Sequence, residues 1–298
     1  MMTVPELKAR LKSDAEVTKE YIDKSLENDT SEVETLYKAM RYSAEGGKRI
    51  RAALVIEFCR LFGGDEKAAV PFAAGIELCH ASSLIHDDMP CMDNDDLRRG
   101  RPTNHKVFGE DIALLAGDAL MTKGYETVCK NEFVGEKQAL AAAKIILTGS
   151  GAEGMMGGQC IDLESENKRI SFDALLQMHA KKTGALIKTA CCLGVIAAGI
   201  TEVTAAEYFA ACEYAKGVGL AFQITDDILD VTGDSAVLGK NIGSDEKDGK
   251  TTFLSFMSVD EAREYARKET DKSTAALRGY PGSDFLTALA EYLISRSE

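Results

Sequence analysis

The chain has 298 residues, 45% of them hydrophobic, and its 48 acidic against 35 basic side chains give a formal net charge of −13. That apolar fraction supplies a sizeable core, while the acidic balance excludes nucleic acid or an anionic membrane surface as the main partner. Eight cysteines lie scattered through apolar, helix-like stretches without a CxxC or a paired histidine spacing, which predicts reduced thiols in a cytoplasmic protein.

The first twenty residues are charged and amphipathic rather than apolar, so no signal peptide is expected. The longest apolar run, 189–200, is too short to cross a bilayer and reads as a core helix. No proline occurs between Pro102 and Pro281, and strand-like alternation is scarce, so the fold class is all-α. Helices are predicted at 5–27, 31–44, 48–62, 66–89, 110–130, 136–158, 171–181, 184–199, 203–232, 259–277 and 284–296. Asp65, Ser171, Thr201 or Thr204, Ser258 and Ser283 are the N-cap candidates, and Gly63, Gly199 and Gly233 the stops. With no repeat, linker or composition break, residues 1–298 are expected to form one domain.

The first chemical candidate in chain order is Gly46, Gly47, Lys48, Arg49, Ile50, Arg51. Glycines let backbone amides approach a phosphate and helix starts attract anions, although a surface helix start explains the run equally well. The next stretch, CHASSLIHDDMPCMDNDDLRRGRPT at 79–103, is far more specific. Asp87, Asp88, Asp93, Asp95 and Asp96 would repel one another at close range unless cations compensate them. Hard oxygen donors imply magnesium or calcium, and the guanidinium forks of Arg98, Arg99 and Arg101 suit phosphate. Most charge runs are solvated faces, but here an apolar lead-in through Leu78, Leu84 and Ile85 carries the acids to a cavity mouth. A calcium loop starting at Asp93 would need Gly and Glu where Arg98 and Asn104 stand, which excludes the EF-hand. Magnesium is usually held by one or two carboxylates plus substrate phosphates, so a diphosphate substrate is expected.

Further on, Gly117-Asp118 and the run from Gly157 to Asp162 interrupt apolar helices, with Gln159 and Asp162 on one face. His179, Lys181, Lys182 and Thr183 read as a solvated helix end or as part of the site. The second specific signal is FQITDDILD at 222–230, where Asp226 and Asp230 stack four residues apart, an arrangement that calls for a bridging cation. Lys240 and the Lys250-Thr251-Thr252 run follow it.

With LIHDDMPCMDNDDLRRGRPTNHKVFGE, AGDAL, GGQCIDL, KKTGAL, FQITDDILD and GKTT on one chain, the sequence resembles the trans-isoprenyl diphosphate synthases, the farnesyl and geranylgeranyl diphosphate synthase family. The resemblance runs from about Gly46 to Thr252. It implies ten or more helices around a deep central cavity, a homodimer, and two aspartate motifs facing each other across the mouth. Ala52 stands where many members have proline, and the first motif is DDxxxxD, the spacing of the bacterial and plant subgroup. On a regular helix Asp87 and Asp93 would point about 240° apart, so the helix must end or bulge near Pro90.

By resemblance, Asp87 and Asp93, assisted by Asp88, bind two Mg2+ ions, and Asp226, with Asp230, binds a third. Arg98, Lys182, Lys240 and Lys250 would hold the allylic diphosphate, and Gln223 and Thr183 would stabilise positive charge at the reacting carbon. Isopentenyl diphosphate would sit against Gly47, Lys48, Arg51, His80 and Arg99. The implied activity is a prenyltransferase joining isopentenyl diphosphate to dimethylallyl, geranyl or farnesyl diphosphate. A terpene cyclase on the same fold and a non-catalytic subunit of a heteromer are the rivals. The first needs no second diphosphate site, and the second would have lost an aspartate motif. Product length would be set below Asp87 by Ser83, Ser82 and Cys79, ~6, 7.5 and 12 Å down a helix. All three are small, so the growing chain should pass them and stop at Met121 or Tyr125. Geranylgeranyl diphosphate is the expected product, with farnesyl diphosphate the alternative.

Overall fold

The computed structural model describes residues 2–28, 30–232 and 249–295. The helices are α1 (Val4–Ser25), α2 (Glu34–Ala44), α3 (Ile50–Leu61), α4 (Glu66–Asp87), α5 (Asn104–Phe108), α6 (Glu110–Cys129) and α7 (Glu136–Ser150). They continue with α8 (Met155–Ser165), α9 (Phe172–Lys182), α10 (Gly184–Ala197), α11 (Ala206–Thr232), α12 (Val259–Ala275) and α13 (Asp284–Ile294). The all-α class holds. Among the described residues the only sheet is a hairpin pairing Leu97–Arg98 with Arg101–Pro102, and Arg99 and Gly100 between the strands both have positive φ, as a two-residue hairpin turn requires.

The bundle is built around α4. Consecutive residues from Ala68 to Cys79 are almost all buried, so this helix has no solvent face and packs against α1, α2, α3, α6 and α10. It is long and apolar enough to cross a membrane, but most of that length is enclosed by other helices. This makes it, rather than 189–200, the most prominent apolar segment. Its closest neighbour is α6. A Cβ on Gly75 would lie 2.8 Å from the Gly124 carbonyl and one on Gly124 2.7 Å from the Gly75 carbonyl, so the two backbones touch. A second core joins α9, α11 and α12 around Phe253, and Phe58 meets Tyr214 edge-on at 5.4 Å between α3 and α11.

Most predicted ends are where local chemistry puts them. The Asp65 carboxylate accepts the Lys67 amide, Ser171 caps Ala174, and Ser258 forms a reciprocal capping box with Glu261. Gly63 and Gly199 stop their helices in the left-handed region, whereas Gly233 lies outside the described residues. Ser283 makes no side-chain cap, and α11 starts at Ala206, beyond both threonines. The helix expected at 136–158 is two helices, α7 and α8, separated at 151–154. A Cβ on Gly154 would run into the Gly149 carbonyl and one on Gly151 would lie 2.8 Å from the Leu147 carbonyl, so the chain turns there on residues without side chains. The helix expected from residue 48 starts at Ile50, because Arg49 adopts a left-handed conformation (φ 51°).

Candidate active site

The first acid motif closes as its spacing requires. Helix α4 ends at Asp87, and residues 88–93 fold back until the Asp93 amide donates to the Asp87 carbonyl at 2.9 Å. Asn94, at φ 51°, donates its amide to the Met89 carbonyl and fixes the turn. Burial pushes the Asp87 carboxyl up to about 6, Lys182 and Arg98 work against this, and Asp93 and Asp88 add to it. Asp88 is occupied differently. It accepts both Nε, at 2.9 Å, and Nη2 of Arg98, whose Nη2 also reaches Asp95 at 3.2 Å. In this structure Asp88 therefore holds Arg98, and the two groups assigned separately to metal and phosphate are partners of one another.

The second motif lies on α11. Thr183 donates its hydroxyl to Gln223 Oε1 at 3.1 Å, and Gln223 Nε2 donates to Asp227 Oδ1 at 3.0 Å. The other oxygen of Asp227 accepts the Phe253 amide at 2.9 Å. Buried Asp227 thus pins the chain after the second motif onto α11, a role the sequence pattern did not reveal. Asp226 is half-buried on this helix and Asp230 is buried one turn further on.

Two lysines join the walls. Lys182, at the end of α9, pairs with Asp162 of α8 and also acts on Asp87. Lys250, which follows the second motif, stands 3.6 Å from Asp93 of the first. Asp162, His179, Lys182, Gln223, Asp227 and Lys250, with Thr251 and Thr252, line one cleft. Lys240 lies outside the described residues. The expected face shared by Gln159 and Asp162 is real for Asp162, which anchors Lys182. His179 is no solvated helix end. It is buried, stacks on Phe253 at 5.4 Å, and burial first, then Lys182, lowers its imidazole to about 4 while Asp162 opposes this.

The basic pocket adjoins the first wall. Gly46 and Gly47 turn with positive φ, and the Arg99 guanidinium rests against Gly47 while its Nη1 donates to the Glu45 carbonyl at 2.9 Å. Arg51, Arg99 and His80 crowd here. Burial, followed by Arg51, Arg99 and Arg49, depresses the His80 imidazole well below its usual range. Burial and Arg99 also lower Arg51, with Glu77 opposing. Lys48 is exposed just before α3. Mutually repelling cations at a helix start stabilise a bound anion. Sequence reasoning missed Glu77, which sits one turn before His80 on α4 and bonds to the start of α3.

The five residues expected to set the depth of the cavity divide into different environments. Ser82 is fully buried, and its hydroxyl has no hydrogen-bond partner among the described residues. Ser83 instead bonds back to the His80 carbonyl at 2.9 Å. Cys79 is covered by α6, its sulfur 3.9 Å from the Met121 carbonyl, and the Tyr125 hydroxyl is tied to Ser150 of α7 at 2.6 Å. Met121 is buried beside Cys79 in the same core.

Hard carboxylate oxygens at Asp87, Asp93, Asp226 and Asp230 suit magnesium, and the raised Asp87 carboxyl marks a place where added positive charge is favourable. Among the described residues no three acid, cysteine or histidine side chains gather into one ligand group. The donors come from two places, the end of α4 with the turn after it and α11.

A family profile described as polyprenyl synthetase matches residues 33–278. The chain is 44% identical over 270 residues to the chloroplastic geranylgeranyl pyrophosphate synthase 9 of Arabidopsis thaliana, covering 88% of this chain and 74% of that one. It is 41% identical over 268 residues to the farnesyl diphosphate synthase of Escherichia coli K12, covering 88% and 89% respectively. Among solved structures, an apo FPP/GFPP synthase from Zymomonas mobilis aligns with a TM-score of 0.88 at 34% identity, over 98% of this chain and 100% of that one.

Proposed function

The chain belongs to the polyprenyl synthetase family and is a prenyltransferase, and on that premise we propose that it elongates allylic diphosphates with isopentenyl diphosphate to make geranylgeranyl diphosphate. The observation that carries this reading is a cluster of Arg51, Arg99 and His80 that is distinct from the lysine-bearing cleft between the two acid motifs. A cyclase, with one diphosphate to bind, has no use for that cluster.

Asp87, Asp93, Asp226 and Asp230 would hold Mg2+, which when bound neutralises diphosphate charge and helps it leave. Lys182, Lys250 and Arg98 carry the complementary positive charge on the allylic side. Gln223, fixed by Asp227, accepts from Thr183, so both oxygens are held where they can face a developing carbocation. Arg51, Arg99, Lys48 and His80 hold isopentenyl diphosphate so that its alkene is presented to that carbon. The proton lost at the end goes to the departing diphosphate.

Product length rests on α4 and α6. Ser82 offers no bulk at the upper level, and the two backbones close on each other at Gly75 and Gly124. Gly75 is twelve residues from Asp87, or ~18 Å along the helix. That depth suits a longer tail than one stopped at Ser82, and the plant relatives named as geranylgeranyl pyrophosphate synthases support the same choice. A homodimer is part of the proposal. Leu114 and Leu115 of α6, Phe133, and Leu140 and Leu147 of α7 are each about half exposed, and Leu140 and Leu147 are one heptad apart.

The test is product analysis with magnesium, isopentenyl diphosphate and each allylic primer in turn. Twenty-carbon diphosphate should dominate. A fifteen-carbon end product would overturn the length assignment, and consumption of the allylic substrate alone would overturn the synthase reading.

A further inference from the structure

Two cysteines outside the site face each other. Cys192 on α10 is buried, Cys212 on α11 is half-buried, and their sulfurs are 3.7 Å apart. Cys191, the immediate neighbour, is buried in the same core and, one residue along the helix, points about 100° away from Cys192. The exposed thiols lie elsewhere, Cys91 after α4, Cys129 at the end of α6 and Cys160 on α8. A disulfide needs its sulfurs at about 2.05 Å, so a small approach of two helices already in contact would complete the bond.

We infer that Cys192 and Cys212 form a thiol pair that small-molecule disulfides oxidise to a reversible cross-link between α10 and α11. The two sulfurs are chemically unequal. A hydrogen bond from Cys192 and the nearby Lys188 ammonium lower Cys212, against opposing burial and Glu213, whereas Cys192 is raised well above the usual thiol range by its bond to Cys212 and by burial. The partly exposed member is thus the nucleophile and the buried member the resolving thiol. The Cys212 thiolate attacks one sulfur of glutathione disulfide and expels a glutathione thiolate. Cys192 then loses its proton and attacks the Cys212 sulfur, expelling the second glutathione thiolate. Two cysteine thiols are oxidised and one disulfide is reduced to two thiols, so electrons balance without a further reagent.

The placement gives the bond a structural consequence. Thr183, just before α10, already bonds to Gln223 of α11 at the site. A covalent link between Cys192 and Cys212 would join the same pair of helices at a second point, away from the chemistry. The inference does not depend on which prenyl diphosphate the protein makes.

Trypsin provides a direct reading, because the peptide 189–216 between Lys188 and Lys216 contains all three cysteines. The whole protein is incubated with glutathione disulfide, residual thiols are alkylated, and the peptide is weighed. Native protein should yield a peptide lighter by two hydrogens with one alkylated thiol, restored by dithiothreitol. Cys191→Ser should still form the bond. Cys192→Ser should retain glutathione on Cys212, and Cys212→Ser should acquire neither modification within this peptide. Native protein that leaves all three thiols alkylated at every ratio of oxidised to reduced glutathione would overturn the inference, as would loss of the bond in Cys191→Ser. The native protein also gives a measurement independent of any variant: its Tm should rise by a few degrees on oxidation and fall back on reduction, and an unchanged Tm in fully cross-linked protein would overturn the proposed joining of the helices.

Discussion

Glu77 accepts the Ala52 amide at 3.0 Å through one carboxylate oxygen and the Arg49 guanidinium at 3.2 Å through the other. A side chain of α4 thereby caps the start of α3, and Arg49, whose second nitrogen reaches the Ala44 carbonyl, ties down the turn that carries Lys48 and leads into Arg51 on α3. Both partners are almost fully enclosed, with side chains 4% and 3% exposed. Replacing Glu77 with Ala leaves a buried charge and a buried amide unpaired, which should cost about 3–5 kcal/mol in urea unfolding. Glu77→Gln, which keeps an acceptor for Ala52, should recover part of that stability while still raising KM for isopentenyl diphosphate. Equal stability of the native protein and Glu77→Ala would remove the capping role.

Asp87→Asn and Asp226→Asn should each lower turnover by about 10²–10³-fold or more, since each removes charge that the transition state needs. Folding should not suffer. The Asp87 carboxyl is raised in the folded state, so its neutral form contributes stability that disappears as pH rises through about 6. In chelator at neutral pH, Asp87→Asn should therefore melt at or above the native Tm. A lower Tm would show that the carboxylate is structural.

Arg51 faces a pocket already crowded with cations, and its Nε has no hydrogen-bond partner among the described residues. Loss of a charged hydrogen-bond donor to an anion typically costs about 10–100-fold. Arg51→Ala should raise KM for isopentenyl diphosphate by that factor and leave KM for the allylic partner nearly unchanged. Parallel increases in both constants would mean that the pockets are not separate.

Ser82→Tyr adds a ring to a fully buried position on α4. The expected outcome is a shift from twenty-carbon to fifteen-carbon product with activity retained, read by chromatography of the dephosphorylated alcohols. An active variant with an unchanged product distribution would place the stop elsewhere.

Asp14 of α1 shares Arg60 with Glu57 deep between helices, and its Oδ2 has no hydrogen-bond partner among the described residues. Burial, then Glu57, raises its carboxyl to about 7 against the pull of Arg60. A raised acid stabilises the fold while protonated, so its contribution is complete below the ordinary carboxylate range and is lost as pH climbs through about 7. Asp14→Asn should therefore gain Tm relative to the native protein between about pH 5 and pH 8. A pH-independent difference in Tm would contradict the shift.

The first acid motif was legible because its residues are close in sequence. The six-residue gap between Asp87 and Asp93 demanded a helix end, and α4 ends at Asp87. Helix starts at Asp65, Ser171 and Ser258 were legible for the same local reason. Glu77, Asp162 and Asp227 were harder to read because each acts through a partner 20 or more residues away: Ala52, Lys182 and Phe253. No periodicity encodes such pairings. The break at 151–154 was missed because apolar spacing continues across it, and only the close approach of glycine backbones ends α7. Cys79 and Tyr125 were read by helical phase alone, which gives a direction but not the neighbour that covers it.

Gly158 carries no side chain for substrate to meet, yet a Cβ there would run into the Lys182 backbone. The missing side chain works as a spacer gauge: it sets how near α9 lies to α8, and so how far the Lys182 ammonium can reach toward Asp87. A larger residue at 158 would force the two helices apart, with the result that a distance within the site is stored in the smallest side chain of α8.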